Sequence, residues 1–191
     1  MPIVIGAKRE SGFTDPIGML ADCHRRVERF LDVLVLVAER AHGQSLTEEQ
    51  RSAFDTALRY FREAAPKHTA DEEESLFPRL RRLDGAALAE VLARVDTLEE
   101  EHVCADRAHA EADRLGQLWL REGSLSPDGA SRLIAVVKGL REMYRHHIAV
   151  EESEVFPAAA EALSAADHAA IGSEMASRRH IATEKQLPSA R

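Results

Sequence analysis

The sequence predicts an all-α fold: an up-down-up-down four-helix bundle made of an internally duplicated helical hairpin, with a short C-terminal helix after it. Composition is the first reason, since 191 residues with 45% apolar, 30% charged and 5% aromatic content, rich in Ala and Leu but holding only 10 Gly and 7 Pro, lean toward helix. Periodicity is the second, because apolar residues recur at alternating three- and four-residue spacing over long stretches. Duplication is the third. Residues 68–78 read HTADEEESLFP and residues 147–157 read HIAVEESEVFP, so His68, Glu72, Glu73, Phe77 and Pro78 return as His147, Glu151, Glu152, Phe156 and Pro157 at an offset of 79.

Residues 1–14 lack sustained periodicity and read as an N-terminal arm. Asp15-Pro16 then offers a cap followed by proline at the first helical position. The first helix carries Ile17, Leu20, His24, Val27, Leu31 and Leu34 on one stripe, and Gly43 supplies its stop. Thr47-x-x-Gln50 is a capping-box start for the second helix, whose stripe is Phe54, Leu58, Phe61, Ala65, His68 and Glu72. Pro66 should kink that helix just before His68, by removing an amide donor and crowding the Arg62 carbonyl, and Pro78 should end or bend it. Asp84 is the expected cap of the third helix, with Leu88, Val91, Val95, Leu98, His102, Ala105 and His109 on its stripe and Gly123 as its stop. Ser126-Pro127 opens the fourth, with Leu133, Val136, Leu140, Tyr144, His147, Glu151 and Val155 inward. The bundle is expected to span residues 15–160, and 161–191 to form a short helix from Ser164 to about Ser177 and a frayed tail.

The stripes carry the chemistry. His68 and Glu72, like His147 and Glu151, are four residues apart and project from one helical face, one turn apart. Each half adds an isolated histidine, His24 standing 44 residues before His68 and His102 standing 45 before His147. Four imidazoles and two carboxylates buried in an apolar bundle cost several kcal/mol per uncompensated ion, and a pair of cations is the natural compensation. The candidate metal ligands are therefore His24, His68, Glu72, His102, His147 and Glu151. A mixed set of this kind favours iron, with zinc or manganese behind it.

These residues carry a specific resemblance. His24, His68-x-x-x-Glu72-Glu73 with Leu76-Phe77-Pro78, Glu101-His102, and His147-x-x-x-Glu151-Glu152 with Val155-Phe156-Pro157 make the chain similar to the hemerythrin family, the HHE cation-binding domain. The resemblance implies a four-helix bundle holding two non-haem iron ions, with Glu72 and Glu151 as bridges beside a bridging oxo or hydroxo group. It makes His24, His68, His102 and His147 the terminal ligands. Family members that carry dioxygen reversibly have His-x-x-x-His on the third helix, where this chain has Asp106 four residues after His102. Under the pseudo-symmetry Asp106 matches Glu28, and the two acids are read either as partners orienting the imidazoles or as surface charges. Tyr144 is expected to face the cavity, as a hydrogen-bond donor or as packing, and His109 to be a core or supporting histidine.

Function divides by class. The leading expectation is a protein that binds or senses a small oxidant or gas, O2, NO or peroxide. The alternatives are a di-iron oxidase or peroxide-decomposing enzyme, and iron storage or handling. A formal charge of −8 with no basic patch gives no reason to expect nucleic acid or an anionic membrane as partner. No apolar run approaches the ~20 residues of a membrane span, and Cys23 and Cys104 form no CxxC pair, so a cytoplasmic location is expected. Neither cysteine lies on a stripe.

Overall fold

The structure is a computed structural model and describes residues 10–83 and 88–181. Its long helices are α1 (Pro16–Ala41), α2 (Glu48–Glu63), α5 (Ala89–Glu122) and α6 (Pro127–Val150). Short segments follow α2 and α6: α3 (Ala65–Asp71) and α4 (Phe77–Leu80) in the first half, α7 (Phe156–Ala162) in the second. The last helix, α8, spans Ala165–Arg178. The described residues contain no strand. Helix α1 packs on α2 and α6, and α5 packs on the same two, so the four long helices close a ring.

The local signals act where expected. Asp15 caps α1 by accepting from the Gly18 amide at 3.0 Å, and the chain leaves the helix through His42 and Gly43 in left-handed conformation, φ 47° and 77°. Thr47 and Gln50 form the reciprocal capping box of α2. Ser126 caps α6 and Ser164 with Asp167 boxes α8. Gly123 ends α5 with φ 79°. Asp84, the expected cap of α5, lies outside the described residues. Pro66 does more than kink its helix, because the helix divides at Ala64 and restarts as α3 with Pro66 in the first turn.

Between α3 and α4, and again between α6 and α7, the helix widens to a π turn, at Glu72–Leu76 and Glu151–Val155. The Phe77 and Phe156 amides there reach back five residues, to the carbonyls of Glu72 and Glu151. Pro78 and Pro157 explain both turns. A prolyl ring has no amide to donate and presses on the carbonyl four residues back, and one extra residue in the preceding turn relieves that crowding. The sequence predicts an end or a bend at Pro78; in the structure a π turn precedes it and the helix ends two residues after it, at Leu80.

Two apolar clusters fill the bundle, and the polar residues lie between them. Val27, Leu31, Leu34, Phe54, Leu58, Phe61 and Trp119 belong to one cluster, while Leu20, Leu76, Phe77, Leu98, Val155, Phe156, Ile171 and Met175 belong to the other. Gly116 lets α5 approach α2, since a Cβ there would sit 2.5 Å from Leu58 Cδ1. Helix α8 seals the second cluster. Buried Asp71 accepts from Arg178 at 2.9 Å and from Arg179 at 2.6 Å, and Arg79 forks onto Glu174.

Candidate metal centre

All six residues proposed from the sequence come together. His24 stands between Leu20 of one cluster and Val27 of the other, and His102 likewise between Leu98 and Ala105. Each His-x-x-x-Glu pair runs into its π turn, which begins at the glutamate itself. Burial is nearly complete, from Glu72 and Glu151 at 0% to His68 at 7% exposure. The donor atoms form two groups, His24 with His68 and Glu72, and His102 with His147 and Glu151, each gathered within 4.8 Å.

Both carboxylates reach across the groups. Glu72 turns Oε1 toward His68 Nε2 at 3.4 Å and His24 Nε2 at 3.8 Å, and Oε2 toward His102 Nε2 at 3.7 Å. Glu151 Oε2 lies 3.0 Å from His24 Nε2 and 3.4 Å from His147 Nε2. These are convergent approaches without hydrogen-bond alignment. Both oxygens of Glu72 and of Glu151 and the His24 Nε2 are buried without a hydrogen-bond partner among the described residues.

The outward nitrogens of three imidazoles meet carboxylates. His24 Nδ1 is 3.0 Å from Glu152, His102 Nδ1 is 2.9 Å from Glu73, and His147 Nδ1 is 2.8 Å from Glu101. Acceptors there favour a proton on Nδ1, so that an imidazole which gives up its other proton turns an Nε2 lone pair inward. Of the two readings the sequence allows for Glu28 and Asp106, one turn after His24 and His102, the structure favours surface charges over partners of the imidazoles. Both are exposed, because the buried face continues three residues on, through Val27 and Ala105, rather than four. The supporting acids come instead from facing helices. Glu73, Glu101 and Glu152 carried a sequence signal, each being adjacent to a ligand candidate, but adjacency alone does not say which imidazole an acid crosses to. His68 Nδ1 is the exception, buried with no partner among the described residues.

The electrostatics are those of an over-filled polar layer. Burial, together with the Glu151 charge, pushes the Glu72 carboxyl up to about 8. Burial also works against Glu151, yet the close approach of the His147 and His24 imidazoles outweighs it and holds Glu151 well below the usual carboxylate range. His147 is depressed by burial but raised further by Glu151, to about 9, and Glu151, Glu152 and Glu72 likewise raise His24. His68 and His102 are held low, first by burial and then by neighbouring histidines. Protons on His24 and His147 thus balance the buried carboxylates.

The residues fit divalent cations. His102 and His147 place their Nε2 atoms 3.1 Å apart, a contact that needs a cation between the two nitrogens, either the proton held by the raised His147 or a metal ion. Two nitrogens each about 2.1 Å from one metal and near a right angle stand roughly 3 Å apart, so the spacing suits a cation shared by both. Imidazole with carboxylate is a donor set for iron, zinc or manganese.

The neighbouring candidates resolve differently. Tyr144 packs its ring against His147, but its hydroxyl meets His109 Nε2 at 3.1 Å, and His109 stacks on Phe61. Burial holds His109 down, to about 4, and therefore neutral. His146 is exposed while His147 is buried, which preserves the register shared with His68. Cys23 is buried and accepts from Arg26, and Cys104 is exposed.

Comparison with known proteins agrees with this geometry. Over 170 residues the chain is 29% identical to a protein of Haemophilus influenzae described as uncharacterized, covering 88% of this chain and 92% of that one. The model of the hemerythrin HHE cation-binding domain matches residues 15–159, a span holding every one of the six converging ligand candidates, and the chain belongs to that family.

Proposed function

We propose that this is a non-haem di-iron protein that binds or senses a small oxidant or gas, O2, NO or peroxide, at a carboxylate-bridged, His-ligated centre. His24 and His68 hold one iron, His102 and His147 hold the other, and Glu72 and Glu151 bridge them. The observation that carries this reading is the set of orphaned, fully buried carboxylate oxygens facing imidazole nitrogens. Uncompensated buried charge of that kind is strongly destabilising, and cations at the convergence would satisfy it. Bound iron would supply a redox-active Lewis acid, and two imidazoles per ion with shared bridges leave coordination positions open.

The surroundings favour a very small ligand. Glu28, Leu31, Asp32, Arg141, Tyr144 and Arg145 line a cleft of about 160 Å³, and the Tyr144 ring also packs against His147. Drug-sized ligands occupy pockets of roughly 300–1,000 Å³. A diatomic or peroxide fits the smaller space.

Metal analysis of protein purified without chelator, with visible spectra of the reduced form before and after air, tests the proposal. Two irons per chain and a new absorption band that reverses on removing the gas are expected. A single zinc, or intact fold with no metal, overturns the di-iron reading. Sustained peroxide breakdown without a stable adduct replaces the binder with an enzyme.

A further inference from the structure

The two halves of the centre repeat each other except at one supporting position. Glu152 behind His24 and Glu73 behind His102 are exchanged by the duplication. His147 has Glu101 behind its Nδ1 at 2.8 Å, whereas His68, its counterpart, has no partner there among the described residues. Glu101 is the residue before His102, and the residue before His24 is Cys23. That thiol is buried and tied to the Arg26 guanidinium at 3.1 Å. One half therefore has carboxylates behind both of its imidazoles, and the other has one carboxylate, with Cys23 at the sequence position that corresponds to Glu101.

Such outward carboxylates fix the imidazole tautomer and ring orientation, raise its basicity and add negative charge near the metal. Losing one typically costs 10–100-fold in metal affinity. Resting on the di-iron reading above, we infer that the two metal positions are unequal, the exchange of Cys23 for Glu101 being the determinant. The position of His102, His147 and Glu151 fills first and holds its metal tightly. The position of His24, His68 and Glu72 is the weaker, exchangeable one. Glu101 is thus a positioning residue for affinity, and Cys23 sets which metal leaves.

The test is a stepwise anaerobic titration of the metal-free full chain with Co(II), followed by its visible spectrum and by calorimetry. Two binding steps separated by about 10–100-fold are expected. Cys23→Glu should draw the weak step toward the strong one, and Glu101→Cys should drop the strong step toward the weak. A second pair guards against misfolding of a buried glutamate. His68→Ala should keep the tight Co(II) and lose the weak one, while His147→Ala should lose the tight step. Two equal steps in the wild type, or loss of the first Co(II) in His68→Ala with retention in His147→Ala, overturns the inference while leaving the di-iron reading standing. No Co(II) binding by the folded wild type overturns both.

Discussion

The imidazoles of His102 and His147 approach Nε2 to Nε2 at 3.1 Å. Each is steered into that position from behind, by Glu73 and Glu101 respectively. With a carboxylate behind each Nδ1, the two inward nitrogens share one proton at neutral pH, donated by the raised His147 to the neutral His102, and a metal ion entering there would have to displace it.

The first prediction concerns those outward bonds. Glu73→Gln and Glu152→Gln preserve shape but weaken the hold on the Nδ1 proton of His102 and His24. Each should lower metal affinity about 10–100-fold, measured by competition with a chromophoric chelator, with helicity unchanged. Glu28→Gln and Asp106→Asn, at exposed positions, serve as controls. Equal losses in all four variants would contradict the assignment of partners.

Metal uptake should release protons, and increasingly so as pH falls from about 9 to 7. Glu72 lies near 8 and His147 near 9 without metal, so at neutral pH both carry protons that a cation must displace. Above those values the sites are already deprotonated and less is released. Apparent affinity therefore rises with pH through that window. Titration of metal into weakly buffered protein at pH 7 and at pH 9.5, followed with an indicator dye, measures the difference. Equal release at the two values would show that the buried carboxylate is ionised without metal.

The clamp between the end of α8 and Asp71, the last residue of α3, should be a major source of stability. Asp71 is fully buried, while Arg178 and Arg179 retain 19% side-chain exposure. Removing the arginines leaves a buried carboxylate unpaired, whereas removing Asp71 leaves two cations that can turn to water. Arg178→Ala with Arg179→Ala should cost about 3–5 kcal/mol in urea unfolding, and Asp71→Ala clearly less. The reverse order would place the burden on the arginines.

What the sequence discloses here is what repeats along one dimension. The stripes, the caps at Asp15, Thr47, Ser126 and Ser164, and the six converging residues are all encoded by spacing within single helices. The π turns are not, because Pro78 and Pro157 announce only that the regular ladder must change and leave open whether the chain ends, bends or widens. The partners of the imidazoles are hidden for another reason. Glu73, Glu101 and Glu152 act across the bundle, and which helix faces which atom is fixed by packing at Val27 and Ala105. Asp71, Glu72, Glu73 and Glu74 form one acidic run whose members meet α8, the centre, His102 and α8 again, a division that only the fold reveals.

The final prediction isolates His109, which is held near 4 by burial alone. In the unfolded chain a histidine titrates near 6.5, so above that value neither state binds the proton and the residue adds no pH dependence. As pH falls below about 6.5 the unfolded chain takes up a proton that the folded protein refuses. Stability is then lost progressively, by about 3 kcal/mol at pH 4 for a shift of this size. His109→Phe cannot take up that proton, although it deprives Tyr144 of its partner and should cost about 1 kcal/mol at every pH. Urea midpoints for the two proteins between pH 4 and 7 should therefore converge or cross on acidification, with the variant the less sensitive. Metal lost in acid affects both proteins alike, so the difference between the curves carries the result. Curves that stay parallel would show that His109 is protonated within the fold, with Tyr144 accepting its hydrogen bond.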